Sequence, residues 1–187
     1  SANGVSVQSA MVICDPYTGH VKGLVGGVGK KQSQRELNRA TQTIRQPGSS
    51  LKPLSVYAPA IDTGMYTPAS VINDNPIRIG EWEPKNDNEK FNGSTTLRNA
   101  IMWSRNIPAI NIVNSLSPSL SYSYLTDKFH FSSVDEKVDK NLSAMALGGM
   151  SEGVSVIEMT AAYNTFVNGG NYFKPIGYTK VENAKGE

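Results

Sequence analysis

The sequence predicts an α/β chain of the α+β kind, mainly helical with a β-hairpin at its start, and three observations carry that expectation. Residues 5–14 are rich in apolar and β-branched side chains, the turn-forming run Asp15-Pro16-Tyr17-Thr18-Gly19 follows, and residues 20–26 read as a second strand. Between residues 45 and 170 the apolar positions recur at helical rather than strand spacing, most clearly in Ser155 to Asn168, where Val156, Met159, Ala162, Tyr163 and Phe166 share a face before Gly169-Gly170 stops the helix. With 187 residues the chain is long enough to bury a sizeable core.

Taken in order, the hairpin over 5–26 comes first and should lean on a helix, because two strands alone are marginal. Cys14, the only cysteine, excludes an internal disulfide and reads as a small buried hydrophobe. Gln34 to Thr43 is polar, a loop or short helix. Pro47-Gly48 then breaks the chain and a helix begins near Ser49, its serines placed to cap orphan N–H groups. Leu54, Ala58 and Ile61 line one face of it, Pro59 kinks it and Thr63-Gly64 ends it. Tyr66 to Gly93 carries Pro68, Pro76, Pro84 and Gly80 and reads as a long loop, a length often associated with function. Ser94 or Thr95 caps a helix with Leu97, Ala100, Ile101 and Trp103 on its apolar side, and another starts after Pro108. Ala109 to Ser117 and Ser121 to Phe129 are amphipathic, Asp135 to Lys140 is a solvated charge run, and Tyr172 to Val181 is a last strand or an extended tail.

The chemistry concentrates at Ser49-x-x-Lys52. Residues three apart on a helix are neighbours, so a hydroxyl and an amine can share a proton there. A serine hydroxyl needs an adjacent group to take its proton, and a lysine can do so only when neutral. Burial and the positive pole of a helix N-terminus both disfavour the ammonium form. Ser50 has no such partner, since its third successor is Pro53. By pattern alone, a serine N-cap with a surface lysine one turn later stays open beside this reading.

Ser49-x-x-Lys52, with Ser104-Arg105-Asn106 some fifty residues on, resembles the first two motifs of the penicillin-binding proteins and serine β-lactamases. The flanking residues resemble more specifically the transpeptidase domain of class A, bifunctional penicillin-binding proteins: Leu37-Asn38-Arg39-Ala40-Thr41 into Arg45-Gln46-Pro47-Gly48-Ser49, Leu97-Arg98-Asn99-Ala100 into Ser104-Arg105-Asn106-Ile107-Pro108-Ala109, then Ala146-Leu147-Gly148-Gly149, Gly153-Val154-Ser155, Met159-Thr160-Ala161-Ala162-Tyr163 and Asn168-Gly169-Gly170. The family's third motif, Lys-Thr-Gly or Lys-Ser-Gly, is absent. The resemblance therefore implies the N-terminal portion of a β-lactamase-like fold, spanning residues 1–187, with a hairpin over 5–26, a mainly helical subdomain over 45–170, and the remaining sheet strands in a missing C-terminal part.

The resemblance also implies roles. Ser49 would attack the carbonyl of the penultimate D-alanine of a peptidoglycan stem peptide with Lys52 as base. Ser104 would relay the proton to the departing D-alanine, and Asn106 would hydrogen-bond Lys52 and the substrate amide. Trp82, in Trp82-x-Pro84-Lys85-Asn86, and Gly148 with Gly149 would line the substrate cleft, although a tryptophan that pins a loop and glycines that only turn the backbone fit equally well. β-Lactams would mimic the D-Ala-D-Ala end and block Ser49. An oxyanion-hole donor is worth roughly 2.7–4 kcal/mol, so these residues without the third motif's strand are expected to be nearly inactive alone. The parent would be membrane-anchored at the outer face of the bacterial cytoplasmic membrane.

Composition narrows the remaining classes. A net charge of +2 argues against an electrostatic nucleic-acid binder. Gly26-Gly27-Val28-Gly29 lacks the Lys-Ser/Thr of a phosphate loop, so no nucleotide is expected. His20 and His130 have no partners at metal spacing, and neither metal nor cofactor is called for. A D,D-carboxypeptidase or β-lactamase-like hydrolase, passing the acyl group to water, and a non-catalytic sensing module for β-lactams or peptidoglycan remain as alternatives.

Overall fold

The computed structural model describes residues 7–31 and 33–186; Val5 and Ser6, where the hairpin was expected to begin, lie outside the described residues. In chain order, strands β1 (Met11–Cys14), β2 (Val21–Val25) and β3 (Ile44–Arg45) come first. A 3₁₀ turn (Gly48–Leu51), a π-helical turn (Pro53–Tyr57) and helix α1 (Ala58–Asp62) follow. Strands β4 (Val71–Asp74) and β5 (Gly93–Thr96) lead to helices α2 (Leu97–Met102), α3 (Asn106–Leu116) and α4 (Pro118–Ser123), the last continued by a π-helical turn (Tyr124–Lys128). Helices α5 (Glu136–Asp139) and α6 (Leu142–Leu147), strand β6 (Val154–Ser155) and helix α7 (Val156–Asn164) complete the order, α7 tightening into a 3₁₀ turn (Thr165–Val167). The mixed α/β class is as expected, its strands forming two-stranded sheets.

The chain divides into two compact units. One comprises the described residues up to Arg45 and those from Val154 onward. In it β1 and β2 pair antiparallel, Val12 facing Leu24, and β3 pairs with β6. Helix α7 packs on β1, which supplies the support a lone hairpin needs. It starts with a capping box: the Ser155 hydroxyl accepts from the Glu158 N–H at 3.3 Å, and the Glu158 carboxylate accepts from the Ser155 N–H at 3.1 Å. Its buried side is Ala161, Ala162 and Thr165. Tyr163 and Phe166, expected in the core, are exposed and meet edge to face at 5.6 Å. Cys14 is half-buried rather than enclosed, and burial pushes its thiol pKa up. Residues 172–181 form no strand; the Val21 N–H donates to the Ile176 carbonyl at 2.9 Å in a single bridge.

The second unit, Gln46–Gly153, is built on α3. Ile107, Ala109, Ile110, Ile112 and Val113 are wholly enclosed, and α3 packs on α6, whose Ala144, Met145 and Ala146 are buried. Helix α3 begins at Asn106, two residues before Pro108, not after it. The proline is harmless because a first-turn N–H has no intrahelical partner to lose. The cap of α2 is Thr96, which accepts from the Asn99 N–H, whereas Ser94 and Thr95 belong to β5. Of that helix's expected apolar face only Leu97 and Ala100 are buried; Ile101 and Trp103 are exposed.

The segment read as one long loop contains β4, which pairs with β5 from Val71 opposite Thr96 to Asp74 opposite Gly93. Asp135 to Lys140, read as a surface run, holds α5 with Asp135 as its cap. Asp139 is buried and accepts from the Asp135 N–H at 3.0 Å, the Ser151 N–H at 2.7 Å and the Ser151 hydroxyl at 3.1 Å.

Candidate active site

Ser49 does not start a regular α-helix. Gly48–Leu51 is a 3₁₀ turn in which the Lys52 N–H donates to the Ser49 carbonyl, and side chains three apart on such a turn eclipse one another. Neither serine caps it: the Ser50 hydroxyl donates backwards to the Pro47 carbonyl at 2.6 Å. The Ser49 side chain is exposed, and its hydroxyl has no hydrogen-bond partner among the described residues. Pro59 cannot donate to the turn before it, and that turn is widened, the Ala58 N–H reaching the Pro53 carbonyl. The wider turn shifts the helical phase, so Leu54, Val56, Tyr57 and Ala60 are buried while Ile61, expected beside Leu54, faces out.

Among the described residues Lys52 is the largest fully enclosed side chain, 1% exposed. Its Nζ donates to the Asn106 Oδ1 at 2.6 Å and the Ser104 carbonyl at 2.7 Å, with the Ser104 Oγ at 3.3 Å and the Arg105 carbonyl at 3.4 Å. Burial pulls its pKa down from 10.5 to about 8, against an opposing pull from the negative Asp87. Ser104 adopts φ +49°, a left-handed conformation that costs a non-glycine residue about 1–2 kcal/mol. It sits between the end of α2 and the start of α3, with its carbonyl and its hydroxyl both within reach of Lys52.

The serine turn is held by backbone contact. The Gly48 N–H donates to the Gly148 carbonyl at 3.2 Å, and Gln46 Nε2 donates to the Met150 carbonyl at 2.8 Å. Gly148 ends α6 at φ +72°, and a Cβ there would lie 2.0 Å from the Gly48 carbonyl oxygen. Gly149 is exposed with open space where a Cβ would project. Trp82 is half-buried in a bridge with Ile79, and no hydrogen bond ties it to the lysine cluster among the described residues. Ser49, Lys52, Ser104 and Asn106 are thus gathered around one turn and one helix start, Gly148 backs that turn, and Trp82 and Gly149 are peripheral to these contacts.

Two buried polar residues outside the expected site set support Asn106, Asn86 directly and Asp74 through Asn86. Asn86 is buried and its Oδ1 accepts from the Asn106 N–H at 2.8 Å. Asp74, wholly enclosed, accepts from Asn86 Nδ2 at 2.7 Å and lies 3.8 Å from Arg105 Nε. Asn86 closes the Trp82-x-Pro84-Lys85-Asn86 element, and nothing in its spacing marks it as buried. Among the described residues no cluster of His, Cys, Asp or Glu could hold a metal, and no helix is long and apolar enough to cross a membrane.

A serine followed one turn later by a buried lysine, facing a Ser-x-Asn helix junction in a mixed α/β fold, places the chain in the fold class of the serine β-lactamases and penicillin-binding proteins. Residues 9–186 match the penicillin binding protein transpeptidase domain. Penicillin-binding protein 1A of Clostridium tetani is 37% identical over 98% of this chain and 25% of its own length. The crystal structure of penicillin-binding protein 1A from Haemophilus influenzae superposes with a TM-score of 0.82 at 31% identity, covering 96% of this chain and 26% of that one. PonA1 of Mycobacterium tuberculosis, solved in complex with penicillin V, shares the fold with a TM-score of 0.80 at 23% identity, covering 99% of this chain and 50% of that one. The chain belongs to the penicillin-binding-protein transpeptidase family and matches the N-terminal portion of its domain. It spans about a quarter of the length of the curated relatives it matches.

Proposed function

We propose that this chain carries the nucleophile, the base and the proton relay of a peptidoglycan D,D-transpeptidase working at the outer face of a bacterial cytoplasmic membrane. One observation carries the reading: an enclosed lysine, its pKa lowered to about 8, converges with Ser104 and Asn106 one turn from an exposed serine. The fall from 10.5 to about 8 raises the neutral fraction at pH 7 roughly 300-fold over an ordinary lysine. Neutral Lys52 takes the Ser49 proton as Oγ attacks the carbonyl of the penultimate D-alanine. The protonated amine returns that proton through the Ser104 hydroxyl, 3.3 Å away, to the nitrogen of the departing D-alanine. An amine of a neighbouring stem peptide then attacks the Ser49 ester, passing its proton back along the same route and completing the cross-link. Asn106 keeps Lys52 in place through its Oδ1. A β-lactam enters the first half of this cycle and leaves Ser49 acylated, in keeping with a fold relative having been solved with penicillin V.

The test is intact mass spectrometry of the full-length protein after incubation with a labelled penicillin. One adduct per chain that disappears in Ser49→Ala is the expected result. If the wild-type protein never acquires an adduct, or if Ser49→Ala still does, the assignment of Ser49 is wrong.

A further inference from the structure

Asn86 has its full hydrogen-bonding capacity engaged inside the protein. Its Oδ1 accepts from the Asn106 N–H at 2.8 Å and the Ile107 N–H at 3.3 Å; its Nδ2 donates to Asp74 Oδ1 at 2.7 Å and the Lys90 carbonyl at 2.9 Å. The two N–H groups open α3, where no intrahelical acceptor exists, and the residue preceding the helix, Arg105, makes no capping bond. A side chain twenty positions upstream therefore caps the helix that begins with Asn106. The neighbouring Lys85 carbonyl accepts from Asn106 Nδ2 at 2.8 Å. That bond decides which end of the Asn106 amide is which. With Nδ2 committed to Lys85, Oδ1 faces Lys52 Nζ; turned about, the amide would aim its own donors at an amine that needs an acceptor. Asp74 anchors the other side. It is 0% exposed, its second oxygen accepts from the Asn92 N–H at 3.2 Å, and its charge strengthens the bond from Asn86.

We propose that Asn86, oriented by the buried Asp74 carboxylate, is a positioning residue for acyl transfer: with the Lys85 carbonyl it sets the start of α3 and the facing of the Asn106 amide, and through that amide the place of Lys52. The proposal rests on the reading of Lys52 as the base of Ser49. It predicts that the identities of residues 74 and 86 matter as a pair. Asn86→Asp keeps the acceptor that caps α3 but sets a carboxylate oxygen against Asp74 Oδ1 and the Lys90 carbonyl, the two acceptors that the Asn86 Nδ2 serves. Asp74→Asn removes the charged acceptor. The exchange of both, Asp74→Asn with Asn86→Asp, restores a donor opposite an acceptor between the two side chains, keeps the α3 cap and leaves the net charge unchanged, although the Lys90 carbonyl loses its Asn86 donor and Arg105 loses the Asp74 carboxylate.

The experiment uses the full-length protein and a fluorescent penicillin, separating the limiting acylation rate, the half-saturation concentration and the final adduct stoichiometry. Asn86→Asp and Asp74→Asn are each expected to lower the limiting rate on the order of tenfold or more with stoichiometry kept, and the exchange to recover part of it, being faster than the two single losses combined. A purely structural role would instead lower stoichiometry while the reacting fraction kept the wild-type rate, and would overturn the proposal. So would an exchanged variant as slow as the two single changes combined. A second readout does not depend on acylation: modification of Lys52 by an amine reagent at pH 7, followed by peptide mass spectrometry, is expected to change several-fold in Asn86→Asp and to return towards wild type in the exchange. Should the wild type form no adduct, the acyl-transfer reading fails by itself, while unchanged Lys52 labelling across the set refutes the positioning role.

Discussion

The two sides of the Ser49 turn are built in opposite ways. On the lysine side, side chains hold side chains: Lys52 Nζ has four acceptors within 3.4 Å, Asn106 is held by Lys85 and Asn86, and Asn86 by Asp74. On the serine side the Ser49 hydroxyl is exposed, and what holds its turn is mainly backbone, Gly48 against Gly148. The difference teaches where each side can fail. A chain of side-chain bonds fails when one of its members is given the wrong charge or donor and tolerates loosening outside it, whereas a backbone approach with no slack fails on one added methyl group.

Gly148→Ala is the change expected to break the serine side most severely. The new Cβ would sit 2.0 Å from the Gly48 carbonyl oxygen, a backbone atom that cannot rotate aside, at a φ of +72° that disfavours any side chain. Displacing the turn by even an ångström can cost about 100-fold, so penicillin acylation of the full-length protein should fall by roughly that factor. Gly149→Ala, one residue on and facing open space, should stay within about twofold. Equal losses in the two variants would mean that the Gly48–Gly148 contact is not what holds Ser49.

The lysine side is sharpened by pH. Lys52 acts as base only when neutral, and its pKa is lowered from 10.5 to about 8, so the acylation rate should rise about tenfold per pH unit up to about 8 and level off above it. The same depression makes stability climb above that pH. Between about pH 8 and 10.5 the unfolded chain binds more protons at this position than the folded one, so the cost of enclosing the ammonium is fully present below 8 and fades as pH rises. A limb centred near 10 would show that Lys52 is not the group being titrated. Denaturant midpoints measured from pH 7 to 9 in wild type and Lys52→Met test the stability half: the rise should be smaller in the variant.

This contrast also explains how much could be read from the chain alone. Ser49-x-x-Lys52 was legible because its chemistry is local, a hydroxyl and an amine three residues apart, and Ser104 with Asn106 because they flank a helix break. The network of Asp74, Asn86 and Arg105 was not, since its contacts, Asn86 to Asp74, Asn86 to Asn106 and Asp74 to Arg105, join positions 12, 20 and 31 residues apart that no periodicity links. Strand β4 hid among Pro68, Pro76 and Gly80, which punctuate the segment so heavily that four residues of alternation, exposed Val71 and buried Ile72 onwards, did not stand out. Tyr163 and Phe166 show a different limit. Periodicity identifies a helix, but which sector of it is covered depends on what packs there, and in α7 the alanines face inward. Ile61 was displaced from its expected face by the widened turn at Pro53–Tyr57, a departure from 3.6 residues per turn that a helical wheel cannot carry.

The smallest expected effect probes redundancy directly. Thr96 accepts from the Asn99 N–H and caps α2, whose end leads into Ser104. Losing a cap of this kind costs about 1 kcal/mol, so Thr96→Ala should lower the unfolding midpoint measurably. The acylation rate should nonetheless be unchanged. Ser104 is fixed from its far side, by Lys52 on its carbonyl and hydroxyl, while the Ser104 N–H to Ile101 carbonyl bond at 3.0 Å and the Arg105 N–H to Ala100 carbonyl bond at 2.9 Å lie at the end of the helix that the cap does not touch. Fraying the first turn of α2 therefore loosens the fold without moving the relay. If acylation slows in step with the lost stability, the junction depends on its helix as a whole, and the lysine side has no more slack than the serine side.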